Sequence, residues 1–541
     1  MRKDLHRWLL SIAFVLVAAI VGFWLARDAL DHSGGDDSAG ERPPRPLRIL
    51  ERPPVAPSKI GGERSGKGGG ASLEDVLLGR AIRFKSDRAY SAFLMALDGS
   101  PYKLLGKIDA LRAVRVGLGD AANFQDLDDL VGDDGENAGN FLVSVPEFGN
   151  VGPGAGAVGF RGSPLEWLGV SGDNSSWGEG VRIAILDTGV GPHAAFPEGV
   201  REIDLLPGDS PVALNPHGTA VASLIAGQGG VTQGIAPSAD LLSLRIADDQ
   251  GLSNSFLLAE GIVRAVDEGA EIINISMGSH GDSALVRDAV AYAVENEVIL
   301  VAASGNEGHH EIAYPAAYEG VIAVGAVDQR GQVLEFSNTG DVDLTAPGYE
   351  VLAAWGEEGV GDNRLFTGTS ASAPIVAGAI AAANSEFGPT PLQNSTDLVI
   401  EQLNAAGQPG ADPSYGDGIL DLGRVMNSDT GGIHDGAIAS NYYQEPTPDD
   451  PVPRLQITVE NRGTEPLTNT SVDVTINDSV YPMSVPSLRP GDTHVLTLPV
   501  NVPTTTESIR IRSALTIGEG QTDIRPDNDV ATGEIVLITP D

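Results

Sequence analysis

No cysteine occurs in the 541 residues. A disulfide framework, a thiol nucleophile and a thiolate metal site are therefore excluded. Lysine is scarce: all six lysines lie before residue 110, and everything beyond takes its positive charge from arginine. Positive charge as a whole is outnumbered, with 34 lysines and arginines against 74 aspartates and glutamates and a formal net charge of −40. A field of that sign repels nucleic acid and favours solubility, so no nucleic-acid partner is expected.

Residues 8–26, WLLSIAFVLVAAIVGFWLA, carry no charge and follow Arg2, Lys3 and Arg7. As a helix the run is about 28 Å long at ~1.5 Å per residue, just enough to span a bilayer. The flanking positive charge sets the N-terminus in the cytoplasm and the rest outside. The competing expectation is a cleaved signal peptide, but signal h-regions are usually shorter and no clear small-x-small site precedes the polar tail. Residues 1–31 are thus expected to be a membrane anchor or signal, with the bulk of the chain exported.

Composition divides the rest of the chain. Residues 32–72 are rich in Gly, Pro, Ser and charge and lack an apolar face, which predicts a disordered linker. Residues 73–146 read β-α-β-β-α-β, the ferredoxin-like order, with Ser86 as N-cap of a helix whose inner face holds Ala89, Phe93 and Leu97, Asp109 in a tight turn between two strands, and GNFLVSVP as the last strand. Residues 147–163 are a flexible Gly-rich linker. Residues 164–427 alternate near-continuous apolar strands with helical stretches, which predicts an α/β domain with a buried, mostly parallel sheet and helices on both faces. Residues 428–452 read as a linker, and residues 453–541 as about seven short alternating strands of a β-sandwich.

Three motifs of the α/β segment carry hydroxyl, imidazole and carboxylate. VRIAILDTGV puts Asp187 just past a strand, NPHGTAVASLIAG puts His217 at the head of a helix, and GTSASAP puts Ser370 at the head of another. Alone, each has a bland reading: a turn aspartate, a surface or capping histidine, a helix N-cap. Together they supply what acyl transfer needs: a nucleophile, a base to take and return its proton, and a carboxylate to orient the base. Each sits beside glycine or other small residues that let a substrate approach.

These motifs resemble the three signatures of the subtilases, the subtilisin-like serine proteases. The resemblance spans residues 164–427 and implies a subtilisin-like doubly wound sheet, with Asp187 as orienting acid, His217 as general base and Ser370 as nucleophile. VAASGNEG resembles the family segment that supplies an oxyanion-hole amide, here Asn306. INISMGS resembles the strand that pairs with an extended substrate, which puts Ser276, Met277 and Gly278 in contact with it; Glu307 is expected near the first pocket's rim, tilting preference toward basic residues. The sequence departs from the best-known members in reading Ala371-Ser372-Ala373 after the nucleophile, with the small residues displaced by one place. Pro374 is kept, and suits the first turn of a helix.

The resemblance further implies a serine endopeptidase acting on peptide or protein substrates, with no cofactor for its chemistry. Structural calcium is a family trait, but no loop matches well enough to name ligands. The unit at 73–146 resembles a subtilase propeptide, an intramolecular chaperone and inhibitor, and autocleavage between about Val145 and Pro164 would free the protease from the anchor. The C-terminal segment resembles bacterial Ig-like modules of the CARDB type. The alternative reading is a catalytically inactive surface binding protein, a pseudoprotease.

Overall fold

The structure, a computed structural model, describes residues 79–118, 124–146, 152–206, 215–357, 360–388, 391–447, 451–500 and 508–536. The run at 8–26 and the linker at 32–72 lie outside them. Among the described residues no helix is long and apolar enough to cross a membrane. The expectation of a membrane-anchored protease finds no support in the described helices and is dropped.

The central sheet has seven parallel strands in the order Leu344–Pro347, Val321–Val327, Ile299–Ala303, Ile272–Ile275, Arg182–Asp187, Asp240–Arg245 and Arg201–Asp204. Successive side chains of a strand point to opposite faces. Ile183 and Ile185 accordingly join one core with the helices His217–Ala226 and Thr369–Glu386, while Ala184 and Leu186 join another with Ser255–Asp267 and Ala284–Glu295. Burial on both faces is why the inner strands read as mostly apolar runs.

Before this domain stands a four-stranded antiparallel sheet in the order Tyr102–Ile108, Ala113–Leu118, Arg80–Phe84, Gly135–Asn137, with the helices Asp87–Leu97 and Phe124–Val131. Ser86 caps the first helix by accepting from Ala89 N–H at 3.2 Å. Tyr90, Phe93 and Leu97 are its buried residues. This sheet lies against the helices Ser255–Asp267 and Ala284–Glu295: Ile108, Leu111 and Ala113 share the core of those helices, and Arg83 pairs with Asp288. Gly106 lets the surfaces close, since a Cβ there would sit 2.7 Å from the Phe256 ring.

Two expectations change here. The GNFLVSVP strand does not complete the four-stranded sheet. Gly135–Asn137 does that, and Leu142–Ser144 pairs antiparallel with Leu252–Asn254 of the α/β domain. From residue 152 onward the Gly-rich segment is also not free. Phe160 and Arg161 N–H donate to the Tyr349 and Glu350 carbonyls at 2.9 and 2.7 Å, and Leu352 N–H donates to Gly162 C=O at 3.0 Å.

At the other end, two antiparallel sheets share one core. Gly436–Gln444, Arg454–Asn461 and Thr493–Pro499 form the first, and Ser479–Ser484, Ser471–Ile476, Ser508–Thr516 and Val530–Val536 the second. The first strand, Gly436–Gln444, falls in the stretch expected to be a linker. Its Asn, Tyr and Gln residues mask a strand that pairs along the whole of Arg454–Asn461.

A buried ion network joins these sheets to the α/β domain. Arg424 Nη1 meets Glu460 Oε1 at 2.6 Å with both side chains nearly inaccessible, and Arg462 Nε donates to Glu460 Oε2 at 2.9 Å. Burial raises the Glu460 carboxyl, but Arg462 and Arg424 outweigh it and leave the group below its usual range. Removing one partner of such a pair strands the other charge, which costs about 3–5 kcal/mol. Glu460→Ala is expected to lose stability on that scale, read as a lower urea midpoint at neutral pH; an unchanged midpoint contradicts it. A depressed carboxyl stabilises above its unfolded pKa and stops doing so as pH falls through the folded one. The gap between Glu460→Ala and the parent should therefore shrink in acid.

Asp529 behaves oppositely. Burial, then the carboxylates of Asp523, Asp435 and Asp527, push it from 3.8 up to about 7. An acid raised on folding stabilises fully below its unfolded pKa and loses that contribution as pH rises through the folded value. Asp529→Asn is expected to gain thermal midpoint relative to the parent at pH 8 and little at pH 4. Equal shifts at both would contradict the assignment.

Candidate active site

Asp187, Ser276 and Asn306 lie at or just past the C-terminal ends of neighbouring parallel strands, where α/β sheets open their crevices. Asp187 is the last residue of its strand, and His217 the first of its helix. Asn215 Oδ1 accepts the His217 N–H at 3.0 Å, capping that helix from two residues upstream. His217 Nδ1 lies 2.8 and 3.0 Å from the two Asp187 carboxylate oxygens. A carboxylate only accepts, so Nδ1 carries a proton, and in the neutral imidazole Nε2 then holds the lone pair. That Nε2 is buried and makes no hydrogen bond. Phe366 packs against the imidazole in a T-shaped contact with ring centroids 5.2 Å apart.

Ser370 is the second residue of the helix Thr369–Glu386. Its Oγ donates to Ser276 C=O at 3.1 Å rather than to His217. Catalytic hydrogen bonds are often unmade before substrate binds.

Pro374 corrects the sequence reading. It lies inside the helix, five residues past Thr369, not in its first turn. Proline has no N–H, so the carbonyl four residues back loses its helical donor. That carbonyl belongs to Ser370, and Ser276 Oγ donates to it at 3.2 Å. Ser276 thus holds Ser370 through both its hydroxyl and its carbonyl. The displaced Ser372 also finds a reason: it is fully buried, with Oγ placed 3.1 and 3.2 Å from the Ala346 and Pro347 carbonyls, tying the helix to the edge strand.

Asn306 Oδ1 accepts from Thr369 N–H at 2.9 Å and from its hydroxyl at 3.0 Å. This orients the amide so that Nδ2 stands beside Gly368, where a Cβ would be 2.8 Å away. Gly368 also has φ of 128°, so only glycine fits. The Ser370 N–H belongs to the helix's first turn, where such groups have no intrahelical acceptor.

A groove beside these residues is filled by the chain itself. Ser144 and Gly278 exchange N–H···O=C bonds at 3.0 Å each way, and Val145 N–H donates to Gly251 C=O at 2.9 Å. Residues 142–145 therefore run extended between Leu252–Asn254 on one side and Gly278 on the other. Met277 is buried in the core; it is the backbone of Gly278 that reaches the segment. Glu307 is half-buried, its Oε2 accepting from Asn338 Nδ2 at 2.7 Å, with His280 Nε2 3.9 Å away.

The motifs do not name several supporting residues. Phe366 enters through its ring contact with His217, and Asn274 and Asn338 through side-chain hydrogen bonds. Asn274 Nδ2 donates to Ser276 Oγ at 3.1 Å. Asn215 leaves a trace, an Asx two residues before a helix start.

Comparison with known proteins finds relatives of one family. Residues 178–418 match the model of the subtilase family, Peptidase_S8. The chain is 36% identical over 254 residues to a thermostable alkaline protease of Halalkalibacterium halodurans, covering 46% of this chain and 68% of that one. It is 34% identical over 247 residues to Subtilisin Savinase of Lederbergia lenta, covering 45% and 89%. A solved structure of a serine-to-alanine mutant of the protease domain of PatA shares 34% identity over 48% of this chain and 99% of its own, with a TM-score of 0.41. The chain belongs to the subtilase family, and its enzyme class is that of a subtilisin-like serine endopeptidase.

Proposed function

We propose that the chain hydrolyses peptide bonds through Asp187, His217 and Ser370. Ser370 Oγ attacks the peptide carbonyl while His217 Nε2 takes its proton; Asp187 holds the imidazole and stabilises its charged form. The His217 proton then passes to the leaving amine, and water, activated by the same imidazole, resolves the acyl-enzyme. Asn306 Nδ2 and the Ser370 N–H stabilise the oxyanion. Gly278, with Ser276 and Met277 behind it, binds the substrate backbone by β-augmentation. Glu307 sits at the pocket rim. No cofactor takes part in this chemistry.

The enzyme is made as a zymogen. The ferredoxin-like unit before the α/β domain serves as propeptide and intramolecular inhibitor, and the C-terminal sheets form an Ig-like β-sandwich. One observation supports this reading: residues 142–145 run as an extended strand between Leu252–Asn254 and Gly278, two residues past the Ser276 that holds Ser370. A peptide held so presents its following residues to Ser370, which sets self-cleavage between Val145 and Pro164. The test is intact mass and N-terminal sequencing of the purified chain and its Ser370→Ala variant. The parent should be cut in that interval and the variant should stay whole. A variant trimmed at the same bond would mean that another protease does the processing.

A further inference from the structure

Beside the crevice, three side chains from two loops converge. Single ligand atoms from His280, Glu307 and His309 lie within 4.8 Å of one another, and His280 Nε2 is 3.9 Å from Glu307 Oε2. We propose that these three residues form a binding site for a divalent transition-metal ion of the zinc type.

The chemistry of the set favours this over a chance cluster. Two imidazoles and a carboxylate are borderline ligands suited to zinc, and less suited to calcium or magnesium, which take oxygen. Zinc–nitrogen and zinc–oxygen bonds of about 2.0–2.2 Å bring tetrahedral ligand atoms to roughly 3.4 Å apart. The separations here need to close by little more than about an ångström, within reach of exposed histidine rotamers. Three protein ligands leave a fourth position for water or another group.

The loops are also held in place. Asn338, fully buried, accepts from Glu307 N–H at 3.1 Å and from His309 N–H at 2.9 Å through its Oδ1. Its Nδ2 donates to Glu307 Oε2 at 2.7 Å and to Ser304 C=O at 3.2 Å. One side chain therefore fixes the backbone of two of the three ligands and orients the carboxylate of one. Outer hydrogen bonds of this kind raise metal affinity by holding ligands in their bound arrangement. The loop of His280 is pinned separately, by Ser279 and Tyr314 exchanging N–H···O=C bonds at 2.8 Å each way. A chain of net charge −40 draws cations toward its surface in addition.

The site adjoins the crevice, because Glu307 follows Asn306 directly and His280 lies two residues past Gly278. The proposal concerns binding, so its test does not depend on turnover. The full chain carrying Ser370→Ala would be titrated with zinc chloride by calorimetry, alongside double variants that add His280→Ala or His309→Ala. Both histidines are exposed, and circular dichroism would confirm that each variant folds. One equivalent of zinc should bind the parent variant, with affinity at least about tenfold weaker in each histidine variant. Absence of saturable binding, or equal affinity in all three proteins, would overturn the assignment.

Discussion

Peptide hydrolysis by the Ser370→Ala variant is expected to fall by about 10⁶, a magnitude that comes from removing the nucleophile in a member of this same family. The size follows from the loss of the covalent route as a whole. With no Oγ to attack, the His217 lone pair has no proton to take, and the Asp187–His217 pair can no longer act. What survives is substrate positioning and the oxyanion donors, worth a residual of about 10³–10⁴ over water. Ser370 is not a core-packing residue whose loss would unfold the domain: its Oγ makes one hydrogen bond, to the Ser276 carbonyl. The measurement is release of a chromophore from a peptide by the purified, processed enzyme and by the variant after it has been trimmed at the same bond in trans by a separable parent enzyme. A loss below about a hundredfold would assign the chemistry elsewhere.

Asp187→Asn is expected to cost about 10⁴ in kcat with the fold intact. The argument is one of tautomers. Asp187 Oδ1 accepts from Thr188 N–H at 2.8 Å as well as facing His217. An asparagine oxygen in that place keeps the Thr188 bond and so turns its NH₂ toward His217, at the position now 3.0 Å from Nδ1. A donor facing Nδ1 moves the imidazole proton to Nε2. The nitrogen that must accept the Ser370 proton then carries one already. The thermal midpoint and KM should change little, because volume and shape are conserved. A variant that keeps more than a tenth of parental kcat would show that Asp187 does not set the tautomer.

Much of the candidate site was legible because its residues sit in short motifs at element ends. Asp187 follows an apolar strand, and His217 and Ser370 each open a run of small residues, so the local pattern marks where strand gives way to crevice. The sheet was legible for a related reason, since burial on both faces keeps the inner strands mostly apolar. What was hidden depends on partners far along the chain. Nothing in GNFLVSVP says that Leu142–Ser144 pairs with Leu252–Asn254 rather than inside its own unit. The glycines of residues 152–162 suggest freedom, yet their backbone bonds to residues 349–352 involve no side chain that a pattern could reveal. Gly436–Gln444 was masked by polar residues that a strand tolerates on its open face. Pro374 was misplaced because its compensation, the Ser276 hydroxyl on the Ser370 carbonyl, comes from 94 residues away.

The central claim is that Ser370 is a nucleophile activated by His217. Labelling the purified, processed protein with a fluorophosphonate and locating the adduct by peptide mass spectrometry tests it most directly. The adduct is expected on Ser370, at one equivalent, and is expected to vanish in His217→Ala that has been trimmed at the same bond in trans. A folded, processed protein that takes no label at Ser370, or that labels equally without His217, would contradict the account.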